Sequence, residues 1–372
     1  MEITKVEVYH LIMRLKASFE TSFGKIVDRH GVIVKVEDSS GCFGWGETPV
    51  EEGPWYSYET VESTLYIYKE YLIPKLLKLK NLEHSKDFIE TVEGIRGNRM
   101  AKAGIETALW DLKARLENKP LYKLLGGVRN YIESGVSIGI IGDEKALLRS
   151  IRNFLDEGYK RIKIKIKPGW DLYPVKLIRN EFGNIPLQVD ANAAYALDHM
   201  NVFKELDNYG LLMIEQPLSY EDLYDHAELQ SQIKTPICLD ESIKNLHDVK
   251  AAFRLGSCKV INLKPTRVGG LYESKLIHDF CMSKNIPIWI GGMLETGIGR
   301  GHLVAMATLP NVKYPNDISG SDRYWEEDIV EPPWVLRKDG TIEVPEKSGI
   351  GVEVIEDKLN KYIKRRIEFK KE

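Results

Sequence analysis

The chain has 372 residues, 43% hydrophobic and 29% charged, with a formal net charge of −3. This is the balance of a soluble globular protein with a substantial core, long enough for a catalytic domain and a smaller companion. It excludes a general attraction to nucleic acid or anionic membranes, and no apolar run is long enough to span a bilayer.

The opening residues, Met1-Glu2-Ile3-Thr4-Lys5-Val6, lack the basic start, apolar stretch and cleavage site of a secretory signal, so a cytoplasmic protein is expected. Cys42, Cys238, Cys258 and Cys281 are widely scattered without metal-finger or redox spacing, which predicts reduced thiols. From Ile3 to about Trp45 the texture is strand-like, as in Val6-Glu7-Val8-Tyr9 and Val32-Ile33-Val34-Lys35-Val36. Between these runs, Phe19 to Gly24 is polar and turn-rich yet carries two aromatics. From Tyr58 to about Leu125 the apolar spacing becomes helical, with Ala101, Gly104, Ile105, Ala108, Leu109 and Leu112 on one face. Strands and helices in separate blocks predict an α+β domain.

After Tyr131 the texture changes to repeated strand, loop and helix. Strands are predicted at Glu133–Ile138, Arg161–Ile166, Ile185–Val189, Leu211–Ile214, Ile237–Leu239, Val260–Leu263 and Ile286–Ile290, with an eighth near Val312–Ile318. Helices fall between them at Ala146–Glu157, Tyr173–Glu181 and Val249–Leu255. Buried strands alternating with helices imply a parallel sheet, and eight units suit a closed barrel. The expected class is therefore α/β: a modified TIM-type (β/α) barrel over 126–325, with an α+β capping domain over 1–125. The tail, 326–372, holds strand-like Thr341–Val344 and Val352–Ile355 and is expected to return to the capping domain. Its basic run, Lys361 to Arg366, reads as a solvated terminal helix rather than an RNA contact.

The ends of the predicted barrel strands carry Lys165, Asp190, Glu215, Asp240 and Lys264. Their gaps (190−165, 215−190, 240−215) are each 25, and 264−240 is 24. One barrel unit takes about 25–30 residues, and catalytic groups of this fold sit at the C-terminal ends of the strands. Asp190 and Asp240 have a structural alternative as helix caps, and Glu215 as an ordinary strand exit. Together, three carboxylates on one rim repel unless a cation joins them. An all-oxygen set without His or Cys selects a hard ion, Mg²⁺, with Mn²⁺ or another divalent metal able to substitute.

Lys163, Lys165 and Lys167 alternate with period two, as on any exposed antiparallel strand. In a parallel barrel the same face points inward, where an ammonium must be paired or have its pKa lowered. Lysines on strands two and six would face a bound substrate from opposite sides. That set suits removal of the proton beside a carboxylate, through an enediolate stabilised by a metal and by donors aimed at the developing charge. The base must be a neutral amine, its pKa lowered by the metal and a second lysine.

Longer stretches carry a specific resemblance. They are Ser134 to Gly139, Arg161 to Asp171 (RIKIKIKPGWD), Val189 to Asn192, Ile214 to Leu218, Thr235 to Ser242 (TPICLDES), Arg267 to Gly270, Gly291 to Gly297 and Ser321 to Trp325. Over nearly its whole length the chain resembles the N-succinylamino acid racemase/o-succinylbenzoate synthase group of the enolase superfamily. Members of that superfamily combine a lysine or histidine base with Mg²⁺ that stabilises the enediolate. The resemblance implies metal ligands at Asp190, Glu215 and Asp240 and an acid/base pair at Lys165 and Lys264. Lys163, Asn262 and Arg267 would support them. Ser137, Gly292 and Met293 would meet the substrate, with Phe19, Phe23, Tyr56 and Tyr324 shaping the pocket, although those aromatics equally suit a core. The Phe19–Gly24 and Gly53–Tyr56 loops would close over the substrate, a small carboxylate. Self-association as a dimer or octamer is also expected. Leu303, where relatives usually have Asn, and Ile318, where Thr is commoner, are departures outside the proposed chemistry.

Two reactions share this machinery: dehydration to o-succinylbenzoate in menaquinone formation, and racemisation of N-succinylamino acids. Arg267 resembles the arginine of members that racemise, so a bifunctional enzyme is expected. The alternatives are a dipeptide epimerase or muconate-type cycloisomerase and, more distantly, a binding protein without catalysis.

Overall fold

Alternating apolar residues near the start build a four-stranded antiparallel sheet, ordered Ile363–Lys370, Ile3–Glu20, Lys25–Asp38, Phe43–Thr48. The computed structural model describes residues 1–22, 24–80 and 82–371. Both faces of this sheet are buried, because successive side chains point to opposite sides. Val6, Val8, Val32, Val34 and Val36 join one core cluster, with Ala101, Ile105, Ala108, Leu109 and Leu112 of the helix Arg99–Leu116. Tyr9, Leu11, Met13, Leu15, Ile33 and Trp45 join the larger cluster that continues into the barrel. The helix lies directly on the third strand because two glycines permit it. A Cβ on Gly46 would stand 2.0 Å from the Gly104 carbonyl oxygen, and one on Gly44 would stand 2.3 Å from that of Ala108.

Seven parallel strands follow in sequential order: Val136–Ile138, Ile162–Lys165, Leu187–Asp190, Ile214–Glu215, Ile237–Leu239, Val260–Leu263 and Ile288–Ile290. Helices alternate with them, among them Glu144–Glu157, Leu172–Phe182 and Leu246–Leu255. The predicted eighth strand is an irregular segment rather than a regular strand. Its backbone still joins the two edges of the sheet: Asp317 donates to the Ile290 carbonyl at 3.0 Å, and Gly135 donates to that of Asn316 at 2.7 Å. Pro315 and Asn316 break the alternation that a regular strand needs. The (β/α) barrel with an α+β cap is the architecture expected from the sequence.

Three local expectations change. The predicted strand Glu133–Ile138 divides, because Tyr131–Glu133 pairs antiparallel with Thr341–Glu343 before the chain enters the barrel. The second barrel strand ends at Lys165, so Lys167 lies beyond it, partly exposed and 3.7 Å from Glu20. The basic tail is not a solvated helix: Ile363–Lys370 is a strand, with Ile367 and Phe369 packed on the cap core and charges outward.

Candidate active site

Strand register places the charged ends on one face. Lys165 pairs with Asp190, Asp190 with Glu215, and Glu215 with Cys238. Facing residues share a side, and Asp240 and Asn262 continue the same parity two positions beyond Cys238 and Val260, with Lys264 following. The opposite parity, Ile164, Val189, Ile214, Leu239, Ile261 and Leu263, belongs to the large core cluster. The charged set therefore points into the barrel, above a small apolar floor of Met213, Cys238, Val260 and Trp289.

Every buried carboxylate of this set meets a cation. Lys165 Nζ donates to Asp190 Oδ2 at 2.6 Å and to Asn192 Oδ1 at 2.7 Å. Lys163 Nζ touches Glu215 at 2.8 Å, Asp190 at 3.3 Å and Asp317 at 2.6 Å. Glu215 also accepts from Asn262 Nδ2 at 2.6 Å and Gln188 Nε2 at 2.7 Å. Lys264 Nζ lies 2.9 Å from Asp240 Oδ2 and 3.1 Å from the Tyr56 hydroxyl. Arg267 pairs with Asp240 and donates to the carbonyls of Ile243 and Asn262, which fixes its guanidinium. None of the three carboxylates caps a helix. Side-chain caps of the barrel helices come instead from residues such as Asp143, Asp171, Asn245 and Thr296.

Burial opposes charge on Lys163, but Asp317, Glu215 and Asp190 hold it above the ordinary lysine range. Lys264 is likewise disfavoured by burial, yet Tyr56, Glu241 and Glu215 carry it upward. Burial raises Asp190, while Lys165 and Lys163 pull it below the usual carboxylate range. Glu215 moves up, through burial and then the neighbouring Asp190 charge.

The backbone beneath the mouth is held in the left-handed region at residues that seldom adopt it. These are Ala193 (φ 60°), Gln216 (φ 36°) and Leu294 (φ 58°), all beside the site. Gln216 also holds the turn at Asp240: its Oε1 accepts from the backbone of Asp240 at 3.0 Å and of Ser242 at 3.1 Å.

A cavity opens above these groups. Lys163, Lys165 and Lys264 reach it, and Phe19, Tyr56, Ser137, Gly292, Met293 and Tyr324 line it. Phe23 lies outside the described residues. Asp190, Glu215 and Asp240 do not line the cavity but pair with these amines, while Asn262 donates to Glu215 and Arg267 pairs with Asp240. Leu303, one of the two departures from the family pattern, stands in the cavity wall. Asp317 escaped the sequence reading. It accepts from Arg161 at 2.5 Å and Ser137 at 3.0 Å and pairs with Lys163. Continuing the 25-residue ladder two rungs past Lys264 would have pointed near it, since 317−264 is 53.

The family profile for the mandelate racemase/muconate lactonizing enzyme N-terminal domain matches residues 3–126, and that for the enolase C-terminal domain-like family matches 146–358. The chain belongs to the enolase superfamily. Within that superfamily it is 47% identical to an o-succinylbenzoate synthase of Geobacillus kaustophilus, covering 97% of this chain and 96% of the relative. It is 45% identical to an N-succinylamino acid racemase of Thermus thermophilus, covering 95% of each. A solved enolase-superfamily structure from Listeria innocua superposes with a TM-score of 0.96 at 40% identity, covering 100% of both chains. A dipeptide epimerase from Cytophaga hutchinsonii, solved with Mg and D-Ala-L-Val, superposes at 0.90 with 26% identity, covering 99% and 100%.

Enolase-superfamily enzymes use a divalent metal and act on small carboxylates. The residues here fit such an ion. The donors are all carboxylate oxygens, buried on one face of adjoining strands, and the neighbouring Glu241 Oε2 makes no hydrogen bond. Among the described residues no three acidic groups already stand in coordinating distance, because the amines lie between them. No helix of the described residues is long and apolar enough to cross a membrane.

Proposed function

We propose that this enolase-superfamily enzyme dehydrates its substrate to o-succinylbenzoate, a step of menaquinone formation, and also racemises N-succinylamino acids. The observation that carries the reading is that Lys165 and Lys264, from the second and sixth strands, reach one cavity, each resting on a different buried carboxylate. In the proposal Asp190, Glu215 and Asp240 hold Mg²⁺, with Mn²⁺ able to replace it. A bound divalent cation supplies positive charge to the substrate carboxylate and takes over the acids that now hold the amines charged.

In dehydration, Lys165 removes the α-proton and returns a proton to the departing hydroxyl on the same face, while the Lys264 ammonium faces the developing charge. In racemisation, one lysine takes the proton and the other delivers one to the opposite face. Asn192 orients Lys165 by accepting from its ammonium, Tyr56 does the same for Lys264, and Arg267 fixes Asp240. The hairpin carrying Phe19 and the loop carrying Tyr56 exclude water. A cytoplasmic enzyme, assembled as a dimer or octamer, completes the proposal.

The test is turnover of both substrates by purified protein with Mg²⁺. We expect dehydration and racemisation, each lost on exhaustive chelation and restored by Mg²⁺. Failure of both reactions, or turnover that survives chelation, overturns the reading.

A further inference from the structure

The cavity holds a cation that this chemistry does not use. Arg29, on the cap strand Lys25–Asp38, is 5% exposed and lines the cavity together with Phe19, Ile26, Met293 and Tyr324. Its Nε donates to the Met293 carbonyl at 3.2 Å, and its Nη1 donates to the carbonyls of Val50, at 2.8 Å, and His30. Its Nη2 makes no hydrogen bond among the described residues, nor does the guanidinium form an ion pair there. Glu51 and Glu295 line the same cavity, and with Glu47 they act on Arg29 electrostatically without an ion-pair contact among the described residues.

A guanidinium this buried is costly unless an anion meets it. The other cations of the cavity are engaged: Lys163 by three acids, Lys165 by Asp190, Lys264 by Asp240, and Arg300 by Asp328 and the Glu295 carbonyl. Arg29 alone among these cations lacks an ion pair among the described residues, and it stands on the cap rather than on the barrel. Apolar groups, Phe19, Ile26, Met293 and Leu303, line the same cavity and suit a short methylene chain. A guanidinium edge matches a carboxylate in charge and in donor direction.

We infer that Arg29 binds a second carboxylate of the substrate, at the end remote from the reacting α-carbon, and so selects dicarboxylates. The inference rests on the reaction proposed above, which brings the first carboxylate to the acidic end of the barrel. It assigns the distal acid of a succinyl group to a cap residue and makes Arg29 a specificity residue.

The experiment is calorimetric titration of the Mg²⁺-loaded protein with an N-succinylamino acid and with its N-succinamyl counterpart, whose distal acid is a neutral amide. Wild type is expected to prefer the acid by about 10- to 100-fold, the range of a charge-assisted hydrogen bond. Arg29→Met should bring that ratio to about one, and Arg29→Lys should keep part of it. A purely structural arginine would weaken both ligands equally and leave the ratio alone. A wild-type ratio near one, or a ratio preserved in Arg29→Met, overturns the inference. Should Arg29→Met fail to fold, the wild-type ratio and its reduction in Arg29→Lys decide. α-Proton exchange in D₂O is read separately, so a preserved acid preference without exchange counts against the reaction and for Arg29.

Discussion

Two sets of buried carboxylates occupy this molecule, and they are satisfied in different ways. At the barrel mouth, Asp190, Glu215 and Asp240 are neutralised by lysine and arginine side chains. At the seam between cap and barrel, Glu47 and Glu106 are met mainly by hydrogen-bond donors at helix starts. Glu47 accepts from Thr296 N at 3.0 Å and Gly299 N at 2.9 Å, where the helix Gly297–Ala307 begins. Glu106 accepts from Leu271 N at 2.7 Å and Tyr272 N at 3.1 Å, where Leu271–Ser283 begins. A helix N-terminus offers orphan N–H groups and a favourable dipole, and it cannot swing away. An ammonium on a four-carbon stem can. Acids held by backbone fix the architecture, whereas acids held by flexible cations are free to change partners during a reaction.

The largest effect should come from breaking the exchangeable set. Lys165→Ala is expected to lower α-proton exchange by about 10²–10⁴-fold, the usual contribution of a positioned base, and to remove both reactions. Lys264→Ala should eliminate racemisation while exchange from the Lys165 side continues. Deuterium incorporation at the α-carbon, followed by NMR, measures both. Racemase activity surviving in Lys264→Ala would overturn the opposite-face arrangement.

The exchangeable set was legible in the sequence because a barrel repeats. One charged residue per strand end, 25 residues apart, requires no knowledge of packing. The seam was not legible. Glu47 and Glu106 sit among strand and helix residues, where a single acid looks like any solvated position, and only the docking of two distant elements reveals their donors. Arg29 was hidden for the same reason. Asp317 was missed because its segment lacks an apolar strand, although the ladder's period reaches it. The C-terminal strand was obscured by its charges: Lys364-Arg365-Arg366 outweighs the weaker alternation of Ile367 and Phe369.

A smaller effect should follow from breaking the seam. Glu47→Ala leaves Thr296 N, the Thr296 hydroxyl and Gly299 N without their acceptor. Unmet buried donors cost about 1–3 kcal/mol each, partly recovered by water, so a net loss of roughly 3 kcal/mol is expected in denaturant unfolding. Residual secondary structure should be unchanged by circular dichroism. A loss no larger than an exposed Glu→Ala control would show that the seam does not depend on this acid.

The smallest effect separates the two sets by pH. Burial lifts the Glu106 carboxyl to about 7 from an ordinary value of 4.5, even though Ser85, Leu271, Tyr272 and Trp110 all donate to it. A folded pKa above the unfolded one means that the folded state binds the proton more tightly. The stability linked to Glu106 is therefore fully present below about pH 4.5 and is lost as pH rises through about 7. The four donors oppose the shift and are already reflected in it, so the loss between pH 5 and 8 should be roughly 2–3 kcal/mol. Glu106→Gln, which copies the protonated acid, should flatten this slope in thermal unfolding and leave the amines of the mouth untouched. An unchanged slope in Glu106→Gln would mean that this acid stays ionised throughout, held by its N–H partners as firmly as a metal ligand is held by its ion.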